Sequence, residues 1–253
     1  MKIGIPKNIY AAIFALSLPE EYKENLIPLT TSMISSELEK GNCDIALIPS
    51  CDLLTHKEFK VSTKIALSFD GDLSNAKIYF KDDSNSFETV YLQGDVSSNE
   101  IILSKIIFSE RFETEIEIVL DTEEFAKGKK NYILVGNSNL DDSLVSSSIS
   151  FADQVAEFLD YPYTEFVLAS KNEDFVKKLS SDLKGLDKKI ENNITQYLQR
   201  LNFSDEINKN LLENIHAVYF ELTENERTGL SELLRIPYFH GLIKEIVDIN
   251  FVD

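Results

Sequence analysis

The order of elements along the chain predicts an α/β fold of two lobes with a central cleft. Three observations carry this expectation. A buried strand pattern near Ile45 lies between two helix signals, a second block of strands and helices fills residues 75–171, and a helical pattern returns from Asn172 onward. The chain therefore leaves a first lobe, builds a second and comes back. The expected division is 1–74 with 172–253, and 75–171. Crossing strands near 72–80 and 164–171 serve as hinges, and clefts at such junctions commonly hold small molecules.

In the first lobe, residues 2–5 are a short β-prone run ending at Pro6. Ile34 and Leu38 stand four apart in a helix over 32–40, which follows Thr30-Thr31 and stops at Gly41. The near-continuous apolar run Asp44–Ser50 suits a buried parallel strand, and Pro49-Ser50 can open a helix. In the middle block, 76–80 and 89–92 read as a hairpin or as paired crossing strands around the polar turn 81–86. Ser97 and Glu100 have capping-box spacing ahead of a helix whose inner face carries Ile102 and Ile106. Strands are expected over 115–120, 131–136 and 164–170, with a helix over 151–159 preceded by a Ser-rich loop at 146–150.

The final third steps with helical period through Leu186, Ile190, Ile194, Tyr197 and Leu201. Ser204 caps a helix with Ile207, Leu211 and Ile215. Thr223 and Glu226 form a second capping box before Leu230, Leu233 and Leu234, and Pro237 is expected to end that segment.

A formal net charge of −18 argues against nucleic acid, whose phosphates need clustered Lys and Arg. No apolar run approaches the roughly 20 residues of a membrane span. The start Met1–Pro6 lacks the apolar stretch of a secretory signal, so a cytoplasmic location is expected. Cys43 and Cys51 read as two buried free thiols rather than a zinc site. His56, His216 and His240 sit in unlike contexts and do not suggest one shared site. Asp121–Glu124 reads as a solvated helix start, while Asp82-Asp83 and Asp141-Asp142 read as loop charges. No metal and no cofactor are expected.

Several runs together resemble the chorismate dehydratases of the futalosine route to menaquinone, a family with the type II periplasmic-binding-protein-like fold. Lys2-Ile3-Gly4 matches the first strand, and Asp44–Ser50 is close to the family's Asp-Val-Ala-Leu-Val-Pro-Ser. Ser68-Phe69-Asp70-Gly71, Leu134-Val135-Gly136 and the run Val155–Ala169 with Tyr161-Pro162-Tyr163 follow in order. The tail adds Asn214–Tyr219, Glu224–Leu230 and Gly241-Leu242-Ile243. The chain departs from the family where Tyr10 stands at the place of an asparagine, with Asn8 two positions earlier. Gly71–Asn75, Asn137-Ser138 and Ser150-Phe151-Ala152 depart as well.

The resemblance implies a hydro-lyase that removes water from chorismate to give 3-[(1-carboxyvinyl)oxy]benzoate without a metal or redox cofactor. A non-catalytic binder of a small anionic solute is the alternative. An acidic chain can hold an anion on helix N-termini and free backbone N–H groups. The residues expected against the substrate are Lys7, Ser50, Ser74, Asn75, Ser97, Ser98, Asn99, Gly136 and Asn137, with Asn8 and Tyr10 as catalytic candidates. Each has a plainer reading: Ser50 and Ser97 as helix caps, Asn8 and Asn137 as turn residues, Gly136 as a strand end, Tyr10 as core.

Overall fold

In the computed structural model, residues 1–82, 87–140 and 148–253 are described. The first strand, β1 (Ile3–Pro6), leads into α1 (Ile9–Ser17), the short α2 (Glu20–Lys23) and β2 (Leu26–Leu29). Then come α3 (Thr31–Glu39), β3 (Ile45–Pro49), a one-turn 3₁₀ helix over Ser50–Leu54 and the long β4 (Lys60–Phe69). The chain crosses to a second sheet through β5 (Ala76–Tyr79), β6 (Thr89–Gly94), α4 (Ser98–Phe112), β7 (Glu117–Leu120), β8 (Asn131–Val135) and β9 (Ile149–Ser150). After α5 (Phe151–Leu159) it returns in β10 (Tyr163–Ser170), followed by α6 (Glu173–Asp182), α7 (Leu186–Leu201) and α8 (Asp205–Asn214). Last come β11 (Val218–Glu221), α9 (Glu224–Phe239) and β12 (Phe251–Val252).

The larger sheet runs β11-β4-β10-β3-β1-β2, with β12 also on β4; the smaller runs β7-β6-β8-β5-β9. All eight residues of β10 are buried, as are all five of β8, because each strand has neighbours on both sides and covered faces. In the larger sheet β1 pairs in parallel with both β2 and β3; in the smaller, β6 pairs in parallel with both β7 and β8. Each arrangement is a topological switch point, and such sheets open a crevice beyond the carboxyl ends of the strands concerned. Those ends are Pro6 and Pro49 in one sheet, Gly94 and Val135 in the other.

The capping signals are realised. Ser97 with Glu100 and Thr223 with Glu226 form capping boxes, and Ser204 caps α8; Ser150, expected only as part of a Ser-rich loop, caps α5 as well. Cys43 and Cys51 are free and buried.

Several expectations are corrected. Strands β5 and β6 do not pair with each other: both flank β8, one antiparallel and one parallel, so no hairpin forms. Residues 163–170, expected in the second lobe, lie in the middle of the larger sheet between β3 and β4, so the return crossing precedes Tyr163. The final third is not wholly helical, since β11 and β12 both add to β4. Pro237 lies inside the last turn of α9 rather than ending the helix before it. Asp121 opens no helix: its carboxylate takes Lys130 Nζ at 2.9 Å and Tyr132 Oη at 3.1 Å. Asn8, with a plainer reading as a turn residue, caps α1, and Tyr10 falls in the first turn of that helix. Asp83, Asp141, Asp142 and the start of the Ser-rich loop lie outside the described residues.

Candidate functional site

The two switch points meet at a seam. Thr30, at the N-cap of α3, makes no side-chain capping bond. The cap comes instead from the other sheet: Asp95, just after β6, accepts from Thr31 N at 2.8 Å and Thr31 Oγ1 at 2.6 Å. Gly94 lets the chain turn there with φ +101°, and a Cβ at that position would stand 2.1 Å from the Val135 carbonyl oxygen. Asp52, in the 3₁₀ turn after β3, accepts from Ser35 Oγ and from Ser98 Oγ, each at 2.5 Å. Burial raises its carboxyl, and the two hydroxyl bonds oppose that rise. The N-terminus of α3 is thus already capped by a carboxylate of the chain itself, and a second carboxylate, Asp52, occupies the Ser98 hydroxyl at the start of α4.

Beneath these lies a buried polar layer. Asn99, fully buried, accepts from Cys51 N at 2.9 Å and donates to the Glu165 carbonyl at 2.8 Å. Ser50 Oγ donates to the Thr164 carbonyl at 2.6 Å. Glu165 itself, on β10, is buried and accepts from Asn75 Nδ2 at 2.7 Å. Its carboxyl is held well above the usual range, first by burial and then by the neighbouring Glu100. Burial raises Glu100 as well, against hydrogen bonds from Ser97. A carboxyl in such surroundings is most cheaply kept protonated.

Beside this layer opens a cavity of about 190 Å³. Tyr10, Leu73 and Ser74 form the wall nearest the first crossing, Lys77 and Asn139 come from the smaller sheet and its following turn, and α8 supplies Ile207, Asn210 and Leu211. Tyr10 packs edge-on against Phe69 at 4.8 Å, and its hydroxyl reaches the Ser74 carbonyl only at 3.4 Å, a weak bond. Burial first, then the neighbouring Glu165 carboxyl, pushes its phenol far up, so near neutral pH it is a hydrogen-bond donor and not a base. Lys77 Nζ donates to the Asp72 carbonyl at 2.6 Å. Burial lowers its ammonium, while Asp72 and Asp153 act to restore it.

Of the expected residues, only Tyr10 and Ser74 line this cavity. Ser50, Ser97, Ser98, Asn75 and Asn99 are at the seam, but their side chains bond to the protein rather than facing open space. Asn8 Oδ1 caps Ala11 N at 2.8 Å, and its amide nitrogen is buried without a partner among the described residues. Gly136 turns the chain after β8 with φ +76° and donates its N–H to the Asn75 carbonyl at 2.8 Å. Lys7 and Asn137 are exposed. Lys77 was missed, although a lysine within Ala76-Lys77-Ile78-Tyr79 is a signal, being a charge in an otherwise apolar strand. Asn210 on α8 carried no such mark.

No protein-family model and no curated protein matches this sequence. Solved structures do match over nearly the whole chain. An ABC transporter protein from Parabacteroides distasonis superposes with a TM-score of 0.68 at 12% identity, covering 100% of this chain and 98% of its own. The periplasmic aliphatic sulphonate binding protein of Escherichia coli gives 0.64 at 11%, covering 98% and 95%. A Candida albicans protein described as having the generic periplasmic binding protein fold gives 0.56 at 10%, covering 97% and 91%. The chain has the two-lobed, type II periplasmic-binding-protein fold. At such identities the likeness extends to the fold alone.

Proposed function

We propose that the protein binds a small organic anion in the cavity between Tyr10, Lys77 and α8, with Lys77 as the group that meets the negative charge. The observation that carries this reading is the cavity itself. It joins the crossing, the smaller sheet and a helix of the return segment, and Lys77 is the one cation lining it among the described residues. Leu73, Leu140, Ile207 and Leu211 offer an apolar body contact, and Tyr10, Ser74 and Asn139 offer hydrogen bonds. A same-fold neighbour that binds aliphatic sulphonates supports an anionic solute.

Dehydration of chorismate is the second reading, supported by the family resemblance and by Tyr10 on the cavity wall. A dicarboxylate fits less well, because Lys77 is the one cation that lines the cavity among the described residues. Calorimetry with short alkanesulphonates, benzoate and chorismate distinguishes the readings when chorismate incubations are also chromatographed for the enolpyruvyl product. A monoanion is expected to bind, and Lys77→Ala to weaken it by about 10- to 100-fold through loss of a charge-assisted hydrogen bond. Turnover of chorismate would establish the enzyme instead, and anion binding unchanged in Lys77→Ala would remove the cavity from consideration.

A further inference from the structure

On the first lobe, at the end of α3 away from the Thr31 seam, Glu39, His56 and Glu58 converge. One ligand atom from each lies within 4.8 Å of the others, and His56 Nδ1 is 3.9 Å from a carboxylate oxygen on either side. The three residues come from different segments: the last residue of α3, the turn after Ser50–Leu54, and the approach to β4. The imidazole is not free to swing. Its ring stacks on Phe59 at 4.9 Å with the planes 3° apart, His56 N donates to the Asp52 carbonyl and Phe59 N donates to the His56 carbonyl.

Charge makes the arrangement more telling. Two carboxylates face one imidazole, and neither pairs with a lysine or arginine among the described residues; Lys171 bonds the Glu39 backbone carbonyl. In a chain of formal charge −18, an uncompensated carboxylate pair gains from a divalent cation. From these features the geometry points to a binding site for a first-row divalent metal such as Zn²⁺, held by Glu39, His56 and Glu58 with water completing the shell. One imidazole and two carboxylates match Zn²⁺, Ni²⁺ or Co²⁺ better than Ca²⁺, which takes oxygen ligands throughout. Tetrahedral Zn²⁺ sets its N and O ligands roughly 3.3 Å apart at bonds of about 2.0–2.1 Å. The ligand atoms, now 3.9 Å apart on the imidazole side and within 4.8 Å overall, therefore close by roughly an ångström, within reach of exposed glutamate side chains. The His56 stack sets the direction from which Nδ1 meets the ion. The site stands apart from the cavity near Tyr10 and does not depend on what binds there.

Titrating the chelator-treated full chain with ZnCl₂ by calorimetry tests it. One equivalent is expected to bind with an affinity on the order of micromolar, weakened at least tenfold in His56→Asn and in Glu39→Gln. His216→Asn and His240→Asn, which change the other two histidines, are expected to leave it intact. No heat of binding up to several hundred micromolar Zn²⁺, undiminished affinity in His56→Asn, or tighter binding of Ca²⁺ than of Zn²⁺ would each overturn the assignment.

Discussion

Asn99 illustrates how a residue at a helix start acquires a different task once the chain is folded. Its position in the first turn of α4 follows from Ser97 and Glu100, which announce the helix in the sequence. That its amide bridges Cys51 N and the Glu165 carbonyl does not, because both partners are remote in sequence. Asn99→Ala leaves a donor and an acceptor buried together without partners, and about 2–3 kcal/mol of stability is expected to be lost. Urea unfolding measures it, and a loss below about 0.5 kcal/mol, within the range of ordinary surface substitutions, would mean that water replaces the amide. Among single residues the sequence marks caps well, since a cap bonds to its own helix. It marks cavity walls poorly: Tyr10 and Ser74 were found, whereas Lys77 and Asn210 enter the cavity only through packing of β5 and α8.

At the level of elements, α3 begins with a cap borrowed from the other sheet. Asp95 supplies both charge and hydrogen bonds to Thr31, and Asp52 ties α3 to α4 through Ser35 and Ser98. Replacing Asp95 by alanine is expected to destabilise the protein by about 1–2 kcal/mol, the upper range for an anion at a helix start. Hydrogen exchange would quicken at the first amides of α3, and unaltered protection there would show that the seam does not hold this helix. Most helices and most strands were legible as elements because their apolar periods are local, whereas α1 and α2 went unread. Their partners were not. The run 89–92 reads as a companion of 76–80, yet both pair with β8, since β8 must be covered on two sides to bury all five of its residues. Strand β4 went unread: Lys60 and Lys64 interrupt its apolar run, although eight of its ten residues are buried between β10 on one side and β11 and β12 on the other.

Across the whole molecule, the buried acids at the seam couple stability to pH. Glu165 and Glu100 have folded-state affinities for protons above those of the unfolded chain, as does Asp187, which burial pushes up to about 6. For such groups the folded state holds more protons than the unfolded one once pH exceeds the ordinary carboxyl range. Their contribution is therefore intact below about pH 4 and is lost as pH rises through the folded-state values. The exposed pairs oppose this trend: Glu37 and Glu173, lowered by hydrogen bonds from Asn42 and Lys177 respectively, stabilise the fold above the carboxyl range and cease to do so in acid. Glu165→Gln keeps an acceptor for Asn75 Nδ2 and removes the titration. Its stability relative to the native chain is expected to rise between pH 5 and pH 8, by about 1.4 kcal/mol for each pH unit over which Glu165 differs in protonation between the two states. Parallel pH profiles for the two proteins, followed by thermal or urea unfolding, would show that Glu165 ionises in the fold without penalty.

The α/β class, the caps of α4, α8 and α9 and the burial of both cysteines were present in the amino-acid order, because each depends on neighbours within a few turns of the chain. The pairing of β10 inside the larger sheet, the Asp95 cap on α3 and the approach of Glu39 to His56 were settled only by folding. Contacts of that kind join residues whose separation along the chain leaves no periodic trace, and they form only when two covered sheets bring those segments together.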